Sequence, residues 1–288
     1  MRVRFGPAGR PVDYRGDIVG VPAYLRAEGL DAFEYQAVRG VRISEAKASA
    51  LREAAEANDV QLTLHAPYAI NLCSTSEEKV AASIERLLAA ARAASWMGAR
   101  IVVFHPGYYG ELSPTEALER CIEALRTVVE RMESEGIRGV LLGPETTGKT
   151  SQLGSVEEVI EICKRVERTV PVVDWAHIHA RGQGAINSKE DYLKVLDLIE
   201  RELGSDIVHR LHCHFTKVEY GRGGERRHHT LSEEGYGPDF RPLAEIIVEH
   251  GYSFTIISES PVLDKDAILM KRILEETASS LGRNRNVG

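Results

Sequence analysis

The sequence predicts a closed α/β barrel of eight parallel strands, the (β/α)8 or TIM barrel fold. Short apolar runs rich in Val and Ile alternate about eight times with stretches of helical periodicity, and 288 residues give about 36 per unit. The strand candidates are almost continuously apolar, as strands covered on both faces are. An open doubly wound sheet is the alternative, but Gly6-Pro7-Ala8-Gly9 after the first strand lacks the glycine pattern of a phosphate-binding turn.

Each unit carries its own strand and helix signals. The strand candidates are residues 3–5, 32–37, 61–65, 100–105, 139–145, 171–174, 208–214 and 254–259. Helical periodicity covers residues 44–58, 77–97, 114–135, 156–168, 190–203 and 239–250. Ser113 precedes Pro114 at the start of one helix, and Ser155 forms a capping box with Glu158 at another. No linker interrupts the pattern, so residues 1–288 are predicted to form one domain.

The composition is that of a globular protein with a hydrophobic core. Hydrophobic residues make up 43% and charged residues 27%, which excludes disordered and collagen-like chains. The longest apolar runs, such as residues 101–104, are too short for a membrane span, and no secretory signal is visible. The four cysteines form no C-x-x-C pair, so we expect reduced thiols in a cytoplasmic protein.

Candidate metal ligands gather at the ends of six successive strands. In a parallel barrel these ends open onto one face, where active sites lie. The residues are His65, His105, Glu145, Asp174 with His177, His212 with His214, and Glu259, and the pair His228-His229 follows in the loop after strand seven. Carboxylates buried together repel each other unless a cation lies between them. Mixed imidazole and carboxylate groups suit Zn²⁺ or Mn²⁺ better than Mg²⁺ or Ca²⁺.

The number of candidates predicts more than one ion. One catalytic zinc uses about three protein ligands and a water, whereas about eight candidates are present here. Neighbouring ions stabilise both the attacking and the leaving oxygen when a phosphate ester is cleaved. Such ions need a bridging carboxylate, and Glu145, central in strand order, is the expected one.

The motifs around these residues resemble those of one enzyme family. They are His65-x-x-Tyr68-x-x-Asn71, Phe104-His105-Pro106-Gly107, Glu145-x-Thr147-Gly148-Lys149, Asp174-x-x-His177, Leu211-His212 with Lys217, His228-His229 and Glu259-x-Pro261. The chain is similar, from about strand three to strand eight, to the endonuclease IV family. These are apurinic/apyrimidinic (AP) endonucleases with a xylose-isomerase-like TIM barrel and a trinuclear zinc site.

The resemblance implies a distribution of ligands among the ions. It assigns His65, His105 and Glu145 to one zinc, and His177 and His228 to a third. The implied ligands of the second zinc are Glu145, Asp174, His212 and Glu259. Glu145 and Glu259 are the implied catalytic residues, with two or three Zn²⁺ ions, or Mn²⁺, as cofactors. The implied reaction is hydrolysis of the phosphodiester 5′ to an abasic site in double-stranded DNA, a step of DNA repair.

Three departures from the family pattern mark a divergent member. Arg226 stands where the family has a third-site aspartate, so either the adjacent Glu225 replaces it or the third site is weak or missing. Trp175 lies between Asp174 and His177 in place of a smaller residue. Two polar family positions after His212 are lost. The extra imidazoles of His179 and His214 are expected to be core or solvated residues rather than replacement ligands.

The alternative function is that of a mononuclear metal-dependent sugar isomerase or epimerase of the xylose-isomerase-like superfamily. Its members resemble this chain at a Glu, Asp, His and Glu ligand set. Glu145, Asp174, His212 and Glu259 would then bind one Mn²⁺, while the two glutamates move a proton. A mononuclear epimerase has no need of His65, His105 and His228. A metal-binding barrel without activity is a third alternative.

Basic residues in loops of the predicted active face fit a DNA partner. They are Lys149, Arg181, Lys217, Arg222, Arg226 and Arg227, and Tyr68 matches a family position at the DNA-binding face. The net charge of −7 gives no global attraction for DNA, so binding has to depend on this local patch and on metal ions. We therefore expect salt-sensitive binding. The sequence indicates no membrane and no obligate protein partner.

Overall fold

The computed structural model describes residues 2–285 and confirms the predicted barrel. Its strands are β1 (Arg4–Pro7), β2 (Ala32–Gln36), β3 (Gln61–His65), β4 (Ile101–Phe104), β5 (Gly107–Tyr108), β6 (Leu141–Pro144), β7 (Gln152–Leu153), β8 (Val172–Asp174), β9 (His212–Phe215), β10 (Lys217–Gly221), β11 (Gly224–His229) and β12 (Thr255–Ser258). Its helices are α1 (Val21–Ala27), α2 (Glu45–Ala57), α3 (Glu77–Met97), α4 (Pro114–Ser134), α5 (Val156–Arg165), α6 (Trp175–Arg181), α7 (Lys189–Leu203), α8 (Ser205–His209), α9 (Phe240–His250) and α10 (Asp264–Arg285), with a 3-10 turn over Ile18–Gly20.

Eight of these strands close into a ring of parallel neighbours. One run of paired strands is β2-β3-β4-β6 and the other is β8-β9-β12-β1. Isolated parallel bridges join the two runs, between Ala8 and Glu34 on one side and between Glu145 and Val172 on the other. All eight carboxyl ends therefore face the same way, which brings the predicted site residues to one end of the barrel.

The interior of the ring has an apolar layer beneath a polar one. Val102 and Phe104 of β4 pack in the large core between strands and helices, whereas Ile101 and Val103 join Val172 in a separate buried cluster. Because side chains alternate along a strand, this smaller cluster faces the inside of the barrel. It fills the amino-terminal half, so polar side chains inside the ring lie above it.

The seventh barrel strand begins later than the sequence predicts. The apolar pattern predicts a strand over residues 208–214, but residues 205–209 form α8 and β9 starts only at His212. Gly204, with a φ of +93°, turns the chain between α7 and α8, a conformation that suits glycine. The pairing register of β9 with β8 places His214 level with Asp174 and His212 level with Val172.

The long connection after β9 is a hairpin rather than the loop expected from the sequence. Strands β10 and β11 pair in antiparallel fashion, with a bulge between Glu219 and Tyr220. Helices α1, α6 and α10 also lie outside the helical stretches that periodicity predicts. Ser155 caps α5 with a complete capping box, as predicted, and Ser113, predicted to precede Pro114 at the start of its helix, caps α4 with a capping box as well. In the described range 2–285, no helix is both long and apolar enough to cross a membrane.

Candidate metal centre

Three groups of His and acidic side chains meet at the carboxyl end of the barrel. The first joins β3, β4 and β6 through His65, His105 and Glu145, whose potential ligand atoms all lie within 4.8 Å of one another. Glu145 Oε2 is 3.3 Å from His65 Nε2 and 3.1 Å from His105 Nε2. Glu145 and His65 are buried, and His105 is partly exposed. These are the residues that the resemblance assigns to one zinc.

The second group contains Glu145, Asp174, His214 and Glu259. His214 Nδ1 lies 3.0 Å from Glu145 Oε1 and 3.2 Å from Glu259 Oε1. Three members are the residues expected for the second ion, and Glu145 is common to the first two groups. A carboxylate shared by two groups is the arrangement that a bridging ligand needs.

The structure places His214, and not the expected His212, in this second group. Strand register gives the reason, because His214 is paired with Asp174 whereas His212 is paired with the apolar Val172. Both imidazoles face the interior, since residues two apart share a face of a strand. His212 therefore lies one layer deeper, where its Nε2 is 3.2 Å from Glu34 Oε2. His214, expected to be a core or solvated residue, is indeed buried but lies among the potential ligand atoms of Glu145, Asp174 and Glu259.

The third group combines His177, His228 and Glu259. Glu225 lies between its two imidazoles, with Oε2 3.2 Å from His177 Nε2 and Oε1 3.2 Å from His228 Nε2. The side chain of Arg226 instead points outward and lies 3.6 Å from Glu219. Glu225, the residue before Arg226, thus brings a carboxylate to the imidazoles of this third group. His179 is outside the three groups, and its Nδ1 is 2.9 Å from the Ile186 carbonyl oxygen.

Backbone contacts hold the hairpin against the loop after β6. The amide of Glu225 donates to the carbonyl of Gly148 at 3.0 Å, and the amide of Thr150 donates to the carbonyl of Gly223 at 3.2 Å. A Cβ on Gly148 would come within 2.8 Å of Glu225 Cβ and 2.9 Å of His177 Cδ2. Only glycine permits the hairpin to come this close to the loop after β6. Gly148, from the Glu145-x-Thr147-Gly148-Lys149 motif, thus positions Glu225.

The charges of the centre depend strongly on one another. Burial raises the pKa of a carboxyl, but the imidazoles of His214 and His105 hold the pKa of Glu145 well below its usual range. Burial disfavours the charged imidazoles of His177 and His214, yet the carboxylates around them raise the pKa of both well above its usual value. The raised pKa values favour protonated imidazoles at His177 and His214, and a bound cation would compete with those protons.

The hydrogen bonding of the Asp174 carboxylate indicates whether these residues fit a metal ion. Its Oδ1 accepts a hydrogen bond from the His177 amide at 2.8 Å, whereas its buried Oδ2 has no hydrogen-bond partner within residues 2–285. Burial, followed by the charges of Glu259 and Glu145, raises the pKa of this carboxyl. A buried oxygen without a partner is costly, and a divalent cation would remove that cost. The donor set of imidazole and carboxylate atoms fits Zn²⁺ or Mn²⁺.

The rim carries some of the residues expected to contact DNA. Tyr68 is 51% exposed, and its ring centroid lies 5.2 Å from that of His65 and 5.4 Å from that of His105. Lys149, Arg222, Arg226 and Arg227 are exposed. Arg226 and Arg227 lie on β11 and Lys217 on β10 rather than in loops.

Two of the expected basic residues, Arg181 and Lys217, donate hydrogen bonds within the protein. The guanidinium of Arg181, at the end of α6, donates to the carbonyls of Lys149 at 2.7 Å and Gln152 at 2.8 Å and to the Tyr109 hydroxyl at 2.9 Å. The ammonium of Lys217 donates to the Glu233 carbonyl at 2.7 Å. The structure thus gives Arg181 a part in holding the loop rather than a free position at the rim.

Comparison with known proteins agrees with this architecture. Residues 22–278 match the family model described as xylose isomerase-like TIM barrel. The chain belongs to this family. An uncharacterized protein of Methanocaldococcus jannaschii is 36% identical over 272 residues, which cover 94% of this chain and 97% of that protein. The predicted resemblance to endonuclease IV is also confirmed at low identity. A probable endonuclease 4 of Mycoplasma pneumoniae is 28% identical over 183 residues, which are 62% of this chain and 60% of that protein.

Solved structures share the fold at comparable similarity. Endonuclease IV from Thermus thermophilus superposes with a TM-score of 0.68 at 23% identity, covering 96% of this chain and 100% of that one. A D-tagatose 3-epimerase-like protein gives the same TM-score of 0.68 at 22% identity, covering 94% and 97% of the two chains. These barrels accommodate different reactions, so the overall fold does not decide between them.

Proposed function

We propose that this protein is a metal-dependent phosphodiesterase that hydrolyses DNA 5′ to abasic sites. The observation that carries the proposal is the sharing of carboxylates among three ligand groups, with Glu145 in the first and second and Glu259 in the second and third. Shared carboxylates hold neighbouring cations close together, and such a cluster suits the cleavage of a phosphate ester. The similarity to probable endonuclease 4 proteins supports the same reaction.

The proposal assigns ions to the three groups. His65, His105 and Glu145 would hold the first, and His177 and His228 with Glu259 the third, where Glu225 adds a carboxylate. The second ion would be held by Glu145, Asp174, His214 and Glu259. When bound, the ions would supply positive charge for the phosphate and would lower the pKa of water. Zn²⁺ is the proposed metal, with Mn²⁺ compatible with the same donors.

Side chains at the rim would hold the DNA. The exposed ring of Tyr68 beside His65 offers a stacking surface next to the ligands, and aromatic rings stack on unpaired bases. Arg222, Arg226 and Arg227 project from the hairpin that also carries Glu225 and His228, so phosphate contacts and ligands share one element. An abasic nucleotide is less firmly stacked than a normal one, which reduces the cost of drawing it into the site.

The deciding experiment combines metal analysis with an incision assay. Purified protein is analysed for bound metals and incubated with a duplex containing one abasic site, with an intact duplex as control, with and without chelator. We expect two or three zinc ions per chain and chelator-sensitive incision on the 5′ side, leaving an end that a DNA polymerase extends. Protein that carries its full complement of metal and leaves the abasic duplex intact would contradict the proposal.

A mononuclear sugar epimerase is the second candidate, and one observation favours it. The group of Glu145, Asp174, His214 and Glu259 is by itself a complete four-ligand site with two glutamates for proton transfer. A single ion bound by this group would leave four histidines of the centre, His65, His105, His177 and His228, without a role. One bound ion per chain, with turnover of a ketose, would favour this candidate over the nuclease.

A further inference from the structure

Glu34 is a buried carboxylate inside the barrel that lies below the proposed metal ligands. It lies in the middle of β2 rather than at the end of a strand, and it is fully buried. Its Oε2 is 3.1 Å from His214 Nε2, 3.2 Å from His212 Nε2 and 3.0 Å from the Thr63 hydroxyl. Its Oε1 accepts from the Gln36 amide at 3.0 Å. Both oxygens therefore have donors.

The second ring nitrogen of several proposed ligands is fixed by a backbone carbonyl. His65 Nδ1 is 2.8 Å from the Ala66 oxygen, and His177 Nδ1 is 2.8 Å from the Thr146 oxygen. His228 Nδ1 is 3.0 Å from the Glu259 oxygen. In the neutral imidazole, each bond places the proton on that nitrogen and leaves the opposite nitrogen, Nε2, with a lone pair for a metal.

His214 follows the same rule with the two nitrogens exchanged. Its Nδ1 faces the carboxylates of Glu145 and Glu259, and its Nε2 faces Glu34. The partner of its second nitrogen is thus a carboxylate rather than a backbone carbonyl. A carboxylate holds the imidazole more firmly and makes its other nitrogen a stronger donor to a metal.

We propose that Glu34 is the positioning residue for His214, holding the proton on Nε2 so that Nδ1 binds the second metal ion. Glu34 thereby extends the second ligand group by one carboxylate that touches no metal. The inference rests on the metal centre of the proposed function but is independent of its substrate. Removing such a partner typically weakens metal binding about 10- to 100-fold.

A fourth metal site is the competing explanation for the same residues. Glu34, His212 and His214 are also close enough to surround a cation. However, the buried Nδ1 of His212 has no hydrogen-bond partner in the described part of the chain. Histidines that bind metals almost always donate their other nitrogen to a partner. His212 therefore fits better as a hydrogen-bond donor to Glu34 than as a ligand.

The test measures metal affinity in three variants of the full chain. Glu34→Gln removes the charge with little change of volume, and Glu34→Asp keeps the charge but withdraws it from both imidazoles. His212→Asn is the matched control, because it removes the other imidazole bonded to the same oxygen. Zinc affinities come from competition with a chromogenic chelator, and the visible spectrum of the Co²⁺ form reports the ligands directly.

The expected result is selective. Glu34→Gln should weaken one ion of the bound set by about 10- to 100-fold and alter the Co²⁺ spectrum, while His212→Asn should keep the wild-type complement within about threefold. Glu34→Asp should weaken the same ion to a lesser extent, and it decides the matter if the glutamine variant does not fold. Wild-type affinity in both Glu34 variants would overturn the proposal. Loss of one ion in His212→Asn would overturn it in favour of a fourth metal site.

Discussion

Asp174 Oδ1 accepts a 2.8 Å hydrogen bond from the backbone amide of His177, so one carboxylate caps helix α6 and directs its other oxygen toward the ligands. The two functions separate in Asp174→Asn, since asparagine caps helices as well as aspartate does. We expect the metal-free variant to be at least as stable as wild type, because a buried charge is removed. Stabilisation by added Zn²⁺ should fall sharply. Thermal unfolding with chelator and with excess zinc measures both effects.

Glu145→Gln should have a larger effect on metal content than other ligand substitutions. Glu145 belongs to two ligand groups, so its loss should release more than one ion per chain and reduce incision by about 100-fold or more. Metal analysis and single-turnover incision provide the measurements. Asp264→Asn is the control, because Asp264 is an equally buried carboxylate outside the ligand groups of the described chain. Near-native turnover of Glu145→Gln would rule out the bridging role.

Metal binding should compete with protons. Burial opposes charge on His228, but the bond to Glu225 and the charge of Glu259 raise the pKa of this imidazole to about 9 in the metal-free protein. The ring therefore carries a proton near neutral pH, and a bound cation displaces it. Zinc affinity should increase with pH up to about 9 and decrease toward acid. Calorimetric titration in two buffers of different ionisation enthalpy measures the released protons, and identical heats in both would exclude the displacement.

Gly148→Ala should disturb the third ligand group selectively. The added methyl would meet Glu225 and His177 at under 3 Å, so the hairpin has to move away from the loop after β6. We expect one ion fewer per chain and a stability loss of about 1–3 kcal/mol, the usual cost of overpacking. Gly223→Ala is the matched control on the same hairpin, where a Cβ would meet no other described atom within 4 Å. Equal metal content in Gly148→Ala and wild type would show that the contact is unimportant.

Salt dependence should identify the arginines that contact phosphate. Each phosphate contact to duplex DNA contributes about 0.9 to the slope of log affinity against log salt. Replacing Arg222, Arg226 and Arg227 by Gln should lower the magnitude of this slope by up to about 3 and leave metal content unchanged. Arg241→Gln, an exposed arginine on helix α9, should leave the slope at its wild-type value. Incision that is indifferent to salt in the wild-type protein would argue against a DNA substrate.

The sequence predicts the barrel and the face of the site because both depend on local patterns. A buried parallel strand is an apolar run, and a ligand at its carboxyl end interrupts that run with a polar residue. His65, His105, Glu145, Asp174 and Glu259 all give this signal, and the structure brings them together. Glu34 gives no such signal, because it lies inside a strand. It acquires its partners only in the folded barrel, where β2 pairs with β3 and lies across the interior from β9.

Whether His212 or His214 belongs to the second ligand group depends on how deep each lies in the barrel. The alternation of side chains along a strand does not give this depth. Both residues face inward, and the start of β9 together with its register against β8 determines their layers. That start is set by α8, whose short sequence from Ser205 to His209 has too few residues to show a helical period. The choice between Glu225 and Arg226 stays open in the sequence for a similar reason, since the register of a hairpin follows from its turn and its bulge.

Strand β11 carries Glu225 and His228 toward the ligands and holds Arg226 and Arg227 exposed between them. A deletion or insertion between Glu225 and His228 would displace one of these two proposed ligands together with an arginine. Residues 222, 223, 226 and 227 are exposed, so we expect substitutions there to leave Glu225 and His228 in place. We therefore expect the exposed residues of this hairpin to change its contacts with a substrate without changing the groups around the proposed metal ions.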